Sequence, residues 1–218
     1  ERAVVEAFEV RLPTAGGVAV AANEAWGQLT GNGSLPLTPY FEVSLLGEWR
    51  PRIPAAAAAV RDTDRKAGEG NRVGLKIRCG GLSAEAVSEV GAVAAAIATC
   101  RAVDVPLKAT QGLHHPFRHH DPELGTAVHG FINLFTASVL AHVHDLPVKA
   151  LTEIVAETDP KAFLVGSERL SWREYTATTE QVAEARGAVL TSFGSCSFAE
   201  PRDDLRTVGI VGEGAHEG

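Results

Sequence analysis

Two segments of this chain share the pattern Val-x-Leu-Lys-x-x-x-Gly and place a lysine at matching positions. They cover residues 73–80 and 105–112, and their lysines are Lys76 and Lys108. An apolar run with a single lysine, followed by a glycine turn and a helix, is typical of a strand that ends at the functional edge of a parallel α/β sheet. We therefore predict two lysines side by side in one pocket. Each ammonium group disfavours the charge of the other, which leaves one amine usable as a nucleophile or base.

Further charged side chains are expected on the lysine-bearing face of the sheet. Arg78 follows Lys76 by two residues, so both side chains point to the same side of their strand. Glu9 and Glu42 lie among apolar residues in the first and second predicted strands, and as inward-facing acids they would pair with Lys76 or Lys108. The alternative for all of these groups is an ordinary solvent-facing position.

A glycine pair, Gly80 and Gly81, lies between the third predicted strand and a helix predicted to start near Ser83. Backbone amides at such a turn and helix start can hold a phosphate or a carboxylate. The planar guanidinium of Arg78 would add a fork of donors to the same anion. We predict substrate binding by Arg78, Gly80 and Gly81, with a simple turn as the alternative.

The densest polar cluster follows the second lysine strand, in residues 111–121 with the sequence QGLHHPFRHHD. Loops after barrel strands carry active-site residues, and imidazole titrates near neutral pH. We predict that His114 and His115 are catalytic. The alternative is a divalent metal such as zinc, because neutral imidazoles with a carboxylate suit such ions. Its predicted ligands are His114, His115, His119 and Asp121.

Three further residues complete the predicted substrate-binding set. Arg118 belongs to the histidine-rich loop, and His129 and Asn133 are one helical turn apart, so they share a helix face that we predict to turn towards the pocket. A solvated helix face is the alternative. Ser195 and Cys196 lie in the segment TSFGSCSFAEP, but the sequence identifies no base for either, so covalent serine or cysteine catalysis is not favoured.

The order of predicted elements indicates an α/β fold of parallel βα repeats. Helices with alanine-rich or amphipathic sequences separate the predicted strands, and glycine clusters at residues 31–34 and 68–71 mark turns. The strands are predicted at residues 4–12, 40–45, 73–80 and 105–112.

We predict a single α/β domain over residues 1–218, in which residues 1–121 form four βα units. Residues 122–218 are predicted to be mainly helical, with one or two short strands at residues 163–165 and 191–198. A further helix is predicted behind Ser171 as its cap, continuing from Trp172 towards Leu190.

Repeated βα order implies a parallel sheet, and we predict a TIM-barrel-like domain with extra C-terminal helices. A closed barrel normally takes about 250 residues. The chain begins at Glu1 and contains no methionine, so we expect that an N-terminal segment with the remaining strands is missing. An open doubly wound sheet, complete as it stands, is the alternative.

The composition limits the classes of partner. A formal charge of −7 gives no basic footprint for nucleic acid, and no long apolar run suggests a membrane. Three cysteines without CxxC spacing support neither a disulfide framework nor a thiolate zinc site, which favours a reducing cytoplasm. We expect a small-molecule substrate, no cofactor in the lysine-based interpretation, and we leave a homo-oligomer open.

The two lysine segments resemble strands of class I aldolases of the deoxyribose-phosphate aldolase type, whose barrels carry a Schiff-base lysine and a second lysine on adjacent strands. LKATQG with Lys108 is similar to the Schiff-base strand, and LKIRCGG with Lys76 is similar to the strand of the second lysine. The two strands occur here in the reverse order, and the histidine-rich loop has no counterpart in that family. The chain as a whole also resembles bacterial barrel-like proteins without an assigned activity.

These observations favour a barrel-type lyase, aldolase or isomerase that acts on a small, anionic carbonyl compound. Lys108 would attack the carbonyl carbon or abstract a proton, Lys76 would keep that amine neutral, and His114 or His115 would move protons. Two alternatives stay open. One is a metal-dependent hydrolase or isomerase that uses the histidine-rich loop, and the other is a non-enzymatic ligand-binding or scaffold protein.

Overall fold

The computed structural model describes residues 7–13, 17–30, 37–67, 72–197 and 199–211. The start of the first predicted strand and the predicted turns at residues 31–34 and 68–71 therefore lie outside the described residues. Within the described ranges, every helix is too short or too polar to cross a membrane.

Strands alternate with helices in the N-terminal half, as the sequence predicts, and both lysine segments are strands. The helix predicted to start near Ser83 is misplaced, because a single 3-10 turn, Ala84–Ala86, stands there and the Ser83 side chain makes no capping hydrogen bond. The elements in chain order are β1 (Ala7–Arg11), α1 (Val18–Thr30), β2 (Thr38–Val43), α2 (Trp49–Ala67), β3 (Gly74–Arg78), α3 (Val90–Ala102) and β4 (Leu107–Thr110).

The C-terminal half contains more strands than the one or two that the sequence predicts. Its elements are β5 (His119–Asp121), β6 (Thr126–Val128), α4 (Phe131–His144), α5 (Val148–Ala156), β7 (Phe163–Val165), β8 (Arg169–Trp172), β9 (Tyr175–Thr178), α6 (Thr179–Ala188), β10 (Leu190–Gly194) and α7 (Ala199–Thr207). The β5 and β6 strands form a hairpin, β7, β8 and β9 form a small antiparallel sheet, and β10 joins the main sheet.

The helix predicted behind Ser171 is wrong. Ser171 lies in β8, and Trp172 pairs with Tyr175 across a two-residue turn in which Arg173 has a φ of 51°. A non-glycine residue in this left-handed region gives no turn signal in the sequence. The helix begins instead at α6, where the side chain of Thr178 forms the cap.

The main sheet has five parallel strands in the order β1-β2-β3-β4-β10. This confirms the α/β class with a parallel sheet. Each crossover moves in the same direction, so right-handed connections place the helices on one face, and α1 packs on α2, α2 on α3 and α3 on α4. A doubly wound sheet reverses its strand order, and the described strands of this sheet show no such reversal. Within the described residues the sheet does not close into a barrel.

The two faces of the sheet differ in polarity because strand residues alternate between them. Phe41, Leu75 and Leu107 are completely buried on the side of α2 and α3, and each such side chain stabilises the fold by about 1.5–3 kcal/mol. The next residue in each strand points to the opposite face, which places charged side chains there. The helix layer thus covers the apolar face and leaves the charged face for a site.

Candidate functional site

One row of side chains crosses the charged face of the main sheet. Lys76 pairs in register with Lys108 on one side and with Glu42 on the other, and Glu42 pairs with Arg11. Residues in register on parallel strands point to the same face. The prediction that the two lysines lie side by side is therefore confirmed.

Lys76 is held by two carboxylates. Its Nζ lies 2.6 Å from Oε2 of Glu9 and also contacts Oε2 of Glu42. Oε1 of Glu9 lies 3.1 Å from Nζ of Lys108, so one carboxylate bridges both lysines. The predicted pairing of these acids with the lysines is confirmed. However, the bridging negative charge offsets the repulsion between the two ammonium groups, on which the prediction of a neutral lysine amine depends.

The members of this charged cluster differ in how far they are buried. Lys76 and Glu42 are 6% and 7% exposed, whereas Lys108 is half-buried. Burial by itself raises the pKa of Glu9, but the hydrogen bonds and charges of Lys76 and Lys108 outweigh it and hold that pKa below its usual value. Glu9 is therefore a carboxylate at neutral pH, and Lys108 is the more accessible amine.

Arg78 extends the charged face towards the carboxyl ends of the strands. Its Nη1 lies 3.7 Å from Oε1 of Glu42, and its Nε donates a 2.9 Å hydrogen bond to the side-chain oxygen of Gln111. Arg78 thus bridges the end of β3 to the loop after β4. Its guanidinium remains partly exposed and lines the cavity described below, as a substrate-binding group must.

Tyr40 crosses the same face at its amino-terminal end. Its ring packs over Gly74, and its hydroxyl lies 2.7 Å from Oγ1 of Thr191 in β10. Nζ of Lys108 lies 5.7 Å from the centroid of the Tyr40 ring, which is within the range of a cation–π contact. The ring therefore forms part of the surface on which the Lys108 amine rests.

The glycine turns bring the loops after β3 and β4 into contact. A Cβ atom added to Gly80 would lie 3.0 Å from Cα of Gly112, which has a φ of +68°. The Gly80–Gly81 turn is not the start of a helix, because α3 begins only at Val90. The predicted anion site therefore has no helix N-terminus behind it, although Gly80, Gly81 and the guanidinium of Arg78 all line the cavity.

A cavity of about 800 Å³ opens at the carboxyl ends of the strands. Its volume suits a small molecule. Lys76 lines the cavity, whereas Lys108 does not and only contacts Glu9, which does, so the prediction that both lysines share one pocket is not borne out for Lys108. The cavity brings together five residues of the predicted site, which are Lys76, Arg78, Gly80, Gly81 and His114. It is also lined by Glu9, Glu42, Ser195 and Cys196.

His114 and His115 each form a hydrogen bond with an acidic side chain of α7. Nδ1 of His114 lies 2.8 Å from Oε2 of Glu200, and Nδ1 of His115 contacts Oδ2 of Asp204. The two acids are four residues apart and share one helix face, so they dock α7 on the histidine-rich loop. Of the two histidines, His114 is the one that lines the cavity.

Ser195 and Cys196 lie beside His114, after the end of β10. Sγ of Cys196 is 3.5 Å from Nε2 and 3.8 Å from Nδ1 of His114. Oγ of Ser195 is 3.3 Å from Nδ1. The sequence pointed to both residues without a base for either, and the fold supplies an imidazole from a loop some 80 residues earlier in the chain.

The histidine-rich loop does not assemble the predicted metal ligands. His114 and His115 bind different acids, and Oδ1 of Asp121 accepts two backbone hydrogen bonds within the turn between β5 and β6. The rings of His115 and His119 pack edge to face with centroids 4.5 Å apart. In the part of the chain that the structure describes, no three His, Cys, Asp or Glu side chains converge as a metal site requires.

Arg118, His129 and Asn133 bind backbone and one another away from the cavity. Nε2 of His129 donates a 2.7 Å hydrogen bond to the carbonyl of Ser88, and its Nδ1 lies 3.4 Å from Nη1 of Arg118. Asn133 donates to two carbonyls at the end of α5 and accepts from the backbone N–H of Arg118. These contacts attach α4 to the neighbouring segments. His129 and Asn133 therefore do not point towards the pocket, contrary to the prediction.

Burial also sets the protonation state of His129. Burial lowers the pKa of His129 to about 4, against the opposing effect of its hydrogen bond to Ser88, and the positive charge of Arg118 lowers it further. The imidazole is therefore neutral at pH 7. A neutral ring that donates from Nε2 and faces Arg118 with Nδ1 is a structural histidine and not a proton shuttle.

Sequence reasoning missed Tyr40, Glu200 and Asp204. The i, i+4 spacing of the two acids, opposite two adjacent histidines, is a signal that could have suggested a pairing. Tyr40 offers no such signal, because its partner Thr191 lies 151 residues later in the chain. Comparison of the chain with protein-family models, with curated proteins and with solved structures found no match.

Proposed function

We propose that this protein is a lyase or isomerase for a small carbonyl compound that bears a carboxylate or phosphate group. The observation that carries the proposal is the bridge from Lys76 through Glu9 to Lys108, at the cavity of about 800 Å³. An amine paired with a carboxylate can exchange a proton directly, and a lysine amine can form a Schiff base with a carbonyl compound. Both steps belong to lyase and isomerase chemistry.

Lys108 is the amine assigned to the chemical step. It is half-buried and has one carboxylate partner at 3.1 Å, whereas Lys76 is buried between two carboxylates. The carboxylate of Glu9 orients the Lys108 amine. After the ammonium group gives up its proton to solvent, the amine attacks the carbonyl carbon, and loss of water gives the Schiff base. Lys76 fixes Glu9 in the bridging position.

An excess of positive charge supports an anionic substrate. Lys76, Arg78 and Arg11 line the cavity together with two carboxylates, and Lys108 adds a further positive charge behind Glu9. A carboxylate or phosphate on the substrate would balance that excess, and the exposed guanidinium of Arg78 can bind it through two donors. His114 lies on the same cavity and can exchange protons with the bound compound.

The placement of the site supports the barrel-like fold that the resemblance implies. The five strands follow one another without reversal, and the charged residues occupy the face that carries no helix layer. In a barrel that face is the interior, and the cavity at the carboxyl ends of the strands is where barrel enzymes bind substrate.

The proposal is tested by borohydride trapping. The protein is incubated with small aldehydes and ketones that carry a carboxylate or phosphate, reduced with sodium borohydride, and mapped by peptide mass spectrometry. We expect a reduced adduct on Lys108 that is absent from the Lys108→Ala variant. Lys149, an exposed residue of α5, serves as the control, and the Lys149→Ala variant keeps the adduct. Labelling of Lys149 as strongly as Lys108 would contradict the proposal.

A further inference from the structure

A thiol, an imidazole and a carboxylate from three segments of the chain meet at the cavity. Cys196 follows β10, His114 follows β4, and Glu200 lies in the first turn of α7. Sγ of Cys196 is 3.5 Å from Nε2 of His114, and Oε2 of Glu200 is 2.8 Å from Nδ1 of the same ring. Cys196 and His114 both line the cavity. The three groups therefore have the composition of an activated-thiol site.

The contacts of His114 assign different roles to its two ring nitrogens. An ionised carboxylate only accepts hydrogen bonds, so the contact with Glu200 places the ring proton on Nδ1 and leaves Nε2 as the acceptor nearest the thiol. The sulfur is also 3.8 Å from Nδ1, so it lies beside the ring and not on the axis of the Nε2 lone pair. The Cys196 side chain is exposed, so its Sγ is free to change rotamer about the Cα–Cβ bond.

Ser195 does not share this arrangement. Its hydroxyl lies 3.3 Å from Nδ1, the nitrogen that Glu200 already engages. Its Oγ also accepts a 3.3 Å hydrogen bond from the backbone N–H of Ser197, a contact that shapes the turn carrying Cys196. The thiol, and not the hydroxyl, is therefore the group that faces the accepting nitrogen.

We propose that Cys196 is a nucleophilic thiol that attacks an electrophilic carbon of a small anionic compound in the cavity, with His114 as its base and Glu200 as a positioning residue. With an aldehyde, the thiol proton passes to Nε2 of His114 and sulfur bonds to the carbonyl carbon. The π pair of the C=O bond moves to oxygen, which takes the proton back and gives a neutral hemithioacetal. This step needs neither lysine, so it goes beyond the proposed function.

The charge around the cavity favours an anionic electrophile. Arg78 and Lys76 line the same cavity as Cys196, and so do Arg11 and the two carboxylates Glu9 and Glu42. Cationic walls raise the local concentration of small anions and speed their association. An anionic electrophile should therefore reach Cys196 faster than a neutral one of the same size.

The other two cysteines do not interfere with a test of this thiol. Cys79 and Cys100 are completely or almost completely buried, and burial raises the pKa of each thiol to about 12. Alkylation of the folded protein therefore reports on Cys196, whose side chain is exposed. A Cys196→Ser variant that takes up no label establishes this selectivity.

The first test is the rate of alkylation of the full chain by iodoacetamide, followed by intact mass from about pH 5.5 to about pH 9. An ordinary thiol such as glutathione loses about tenfold in rate for each pH unit below its pKa, whereas a thiol paired with imidazole keeps reacting. We expect Cys196 to react about tenfold faster than glutathione near pH 6. A wild-type profile that follows the glutathione profile would overturn the proposal.

Variants separate the base from the positioning residue. His114→Gln should lower the rate near pH 6 to that of glutathione, and Glu200→Gln should move the profile towards higher pH with an unchanged circular dichroism spectrum. His142→Gln, on α4 and outside this cavity, is the matched control and should keep the wild-type profile. If His114→Gln does not fold, Glu200→Gln decides, and an unshifted profile for that variant counts against the proposal.

The second test compares iodoacetate with iodoacetamide, which differ in charge at nearly equal size. We expect the ratio of the iodoacetate rate to the iodoacetamide rate to be about tenfold higher for Cys196 than for glutathione. This ratio should fall in the Arg78→Gln variant. A ratio equal to that of glutathione would overturn the anionic part of the proposal. Neither measurement depends on a Schiff base, so a failure of lysine trapping and a failure of the thiol site are distinguishable.

Discussion

Gly80 and Gly112, the glycines that end the two copies of the lysine pattern, pack backbone against backbone. A Cβ atom on Gly80 would lie 3.0 Å from Cα of Gly112, and Gly112 itself has a φ of +68°. The repeated pattern therefore encodes more than two lysines. It lets the loops after β3 and β4 touch at the edge of the cavity, with Lys76 and Lys108 in register below them.

Gly112→Ala should destabilise the protein. An alanine in the left-handed region costs about 1–3 kcal/mol, and its Cβ would also press on Gly80, so we expect the free energy of unfolding to fall by that amount. Gly187→Ala is the control, because this residue lies in α6 with open space around its Cβ position. That variant should be unchanged or more stable by up to about 1 kcal/mol. Urea unfolding measures both, and equal values for the two variants would contradict the expectation.

The ion pairs around Lys76 predict unequal effects for the two lysines. Lys76→Met leaves the buried carboxylate of Glu42 without its closest ammonium group, and we expect a loss of about 3 kcal/mol. Lys108→Met removes a half-buried partner of Glu9 and should cost less than about 1 kcal/mol.

A double variant tests the cause of the Lys76 effect. Adding Glu42→Gln to Lys76→Met removes the buried charge that has lost its closest ammonium group and should restore most of the lost stability, as measured by urea unfolding. If the double variant is no more stable than Lys76→Met, the loss comes from packing and not from charge. Lys108→Met, which we expect to stay folded, is then the variant of choice for kinetic work.

The parallel sheet and the lysine pair could be predicted from the sequence because both depend on local patterns. Strand alternation places Lys76 and Arg78 on one face, and two equal strand patterns separated by a helix bring Lys108 beside Lys76. For Glu9, the sequence predicts a pairing with one of the two lysines but not the bridge between both. Its exact partners depend on the register between β1 and β2, which the sequence does not fix.

The rest of the site depends on contacts between distant segments. Glu200 meets His114 because β10 joins the main sheet beside β4 and carries α7 to the histidine-rich loop, a placement that only the whole topology determines. The turn at Arg173 could not be predicted from the sequence for another reason. A positive φ at arginine has no residue signature, so the helix predicted from Trp172 covers the turn and β9.

The buried imidazole of His129 predicts a loss of stability in acid. Its pKa is lowered in the folded protein to about 4 from an ordinary value of 6.5, so its contribution is complete above pH 6.5 and is lost as the pH falls towards 4. At about 1.4 kcal/mol for each pH unit, protonation of the unfolded chain costs the fold about 3 kcal/mol. Urea unfolding at a series of pH values measures this slope.

Two histidine variants identify the source of the slope. Gln at position 129 can donate to the carbonyl of Ser88 but cannot be protonated, so the stability gap between wild type and His129→Gln should narrow from pH 6.5 to 4. His120→Gln, at an exposed position of β5, should run parallel to wild type. Parallel curves for all three proteins would show that other groups cause the acid sensitivity.

The ring of Tyr40 predicts an energetic coupling between β2 and β3. A Cβ on Gly74 would lie 2.4 Å from Cε1 of Tyr40, so Gly74→Ala forces the ring off the sheet and should cost about 1–3 kcal/mol. In a Tyr40→Ala background the two closest contacts of that Cβ are gone and only the carbonyl of Pro106 is left near it, so a double-mutant cycle should give a coupling of about 1 kcal/mol or more. Tyr175→Ala in the small antiparallel sheet is the control and should be additive with Gly74→Ala. Additivity in the Tyr40 cycle as well would mean that the glycine is required by the nearby carbonyl of Pro106, 3.0 Å from the same Cβ position, and not by the tyrosine that supports Lys108.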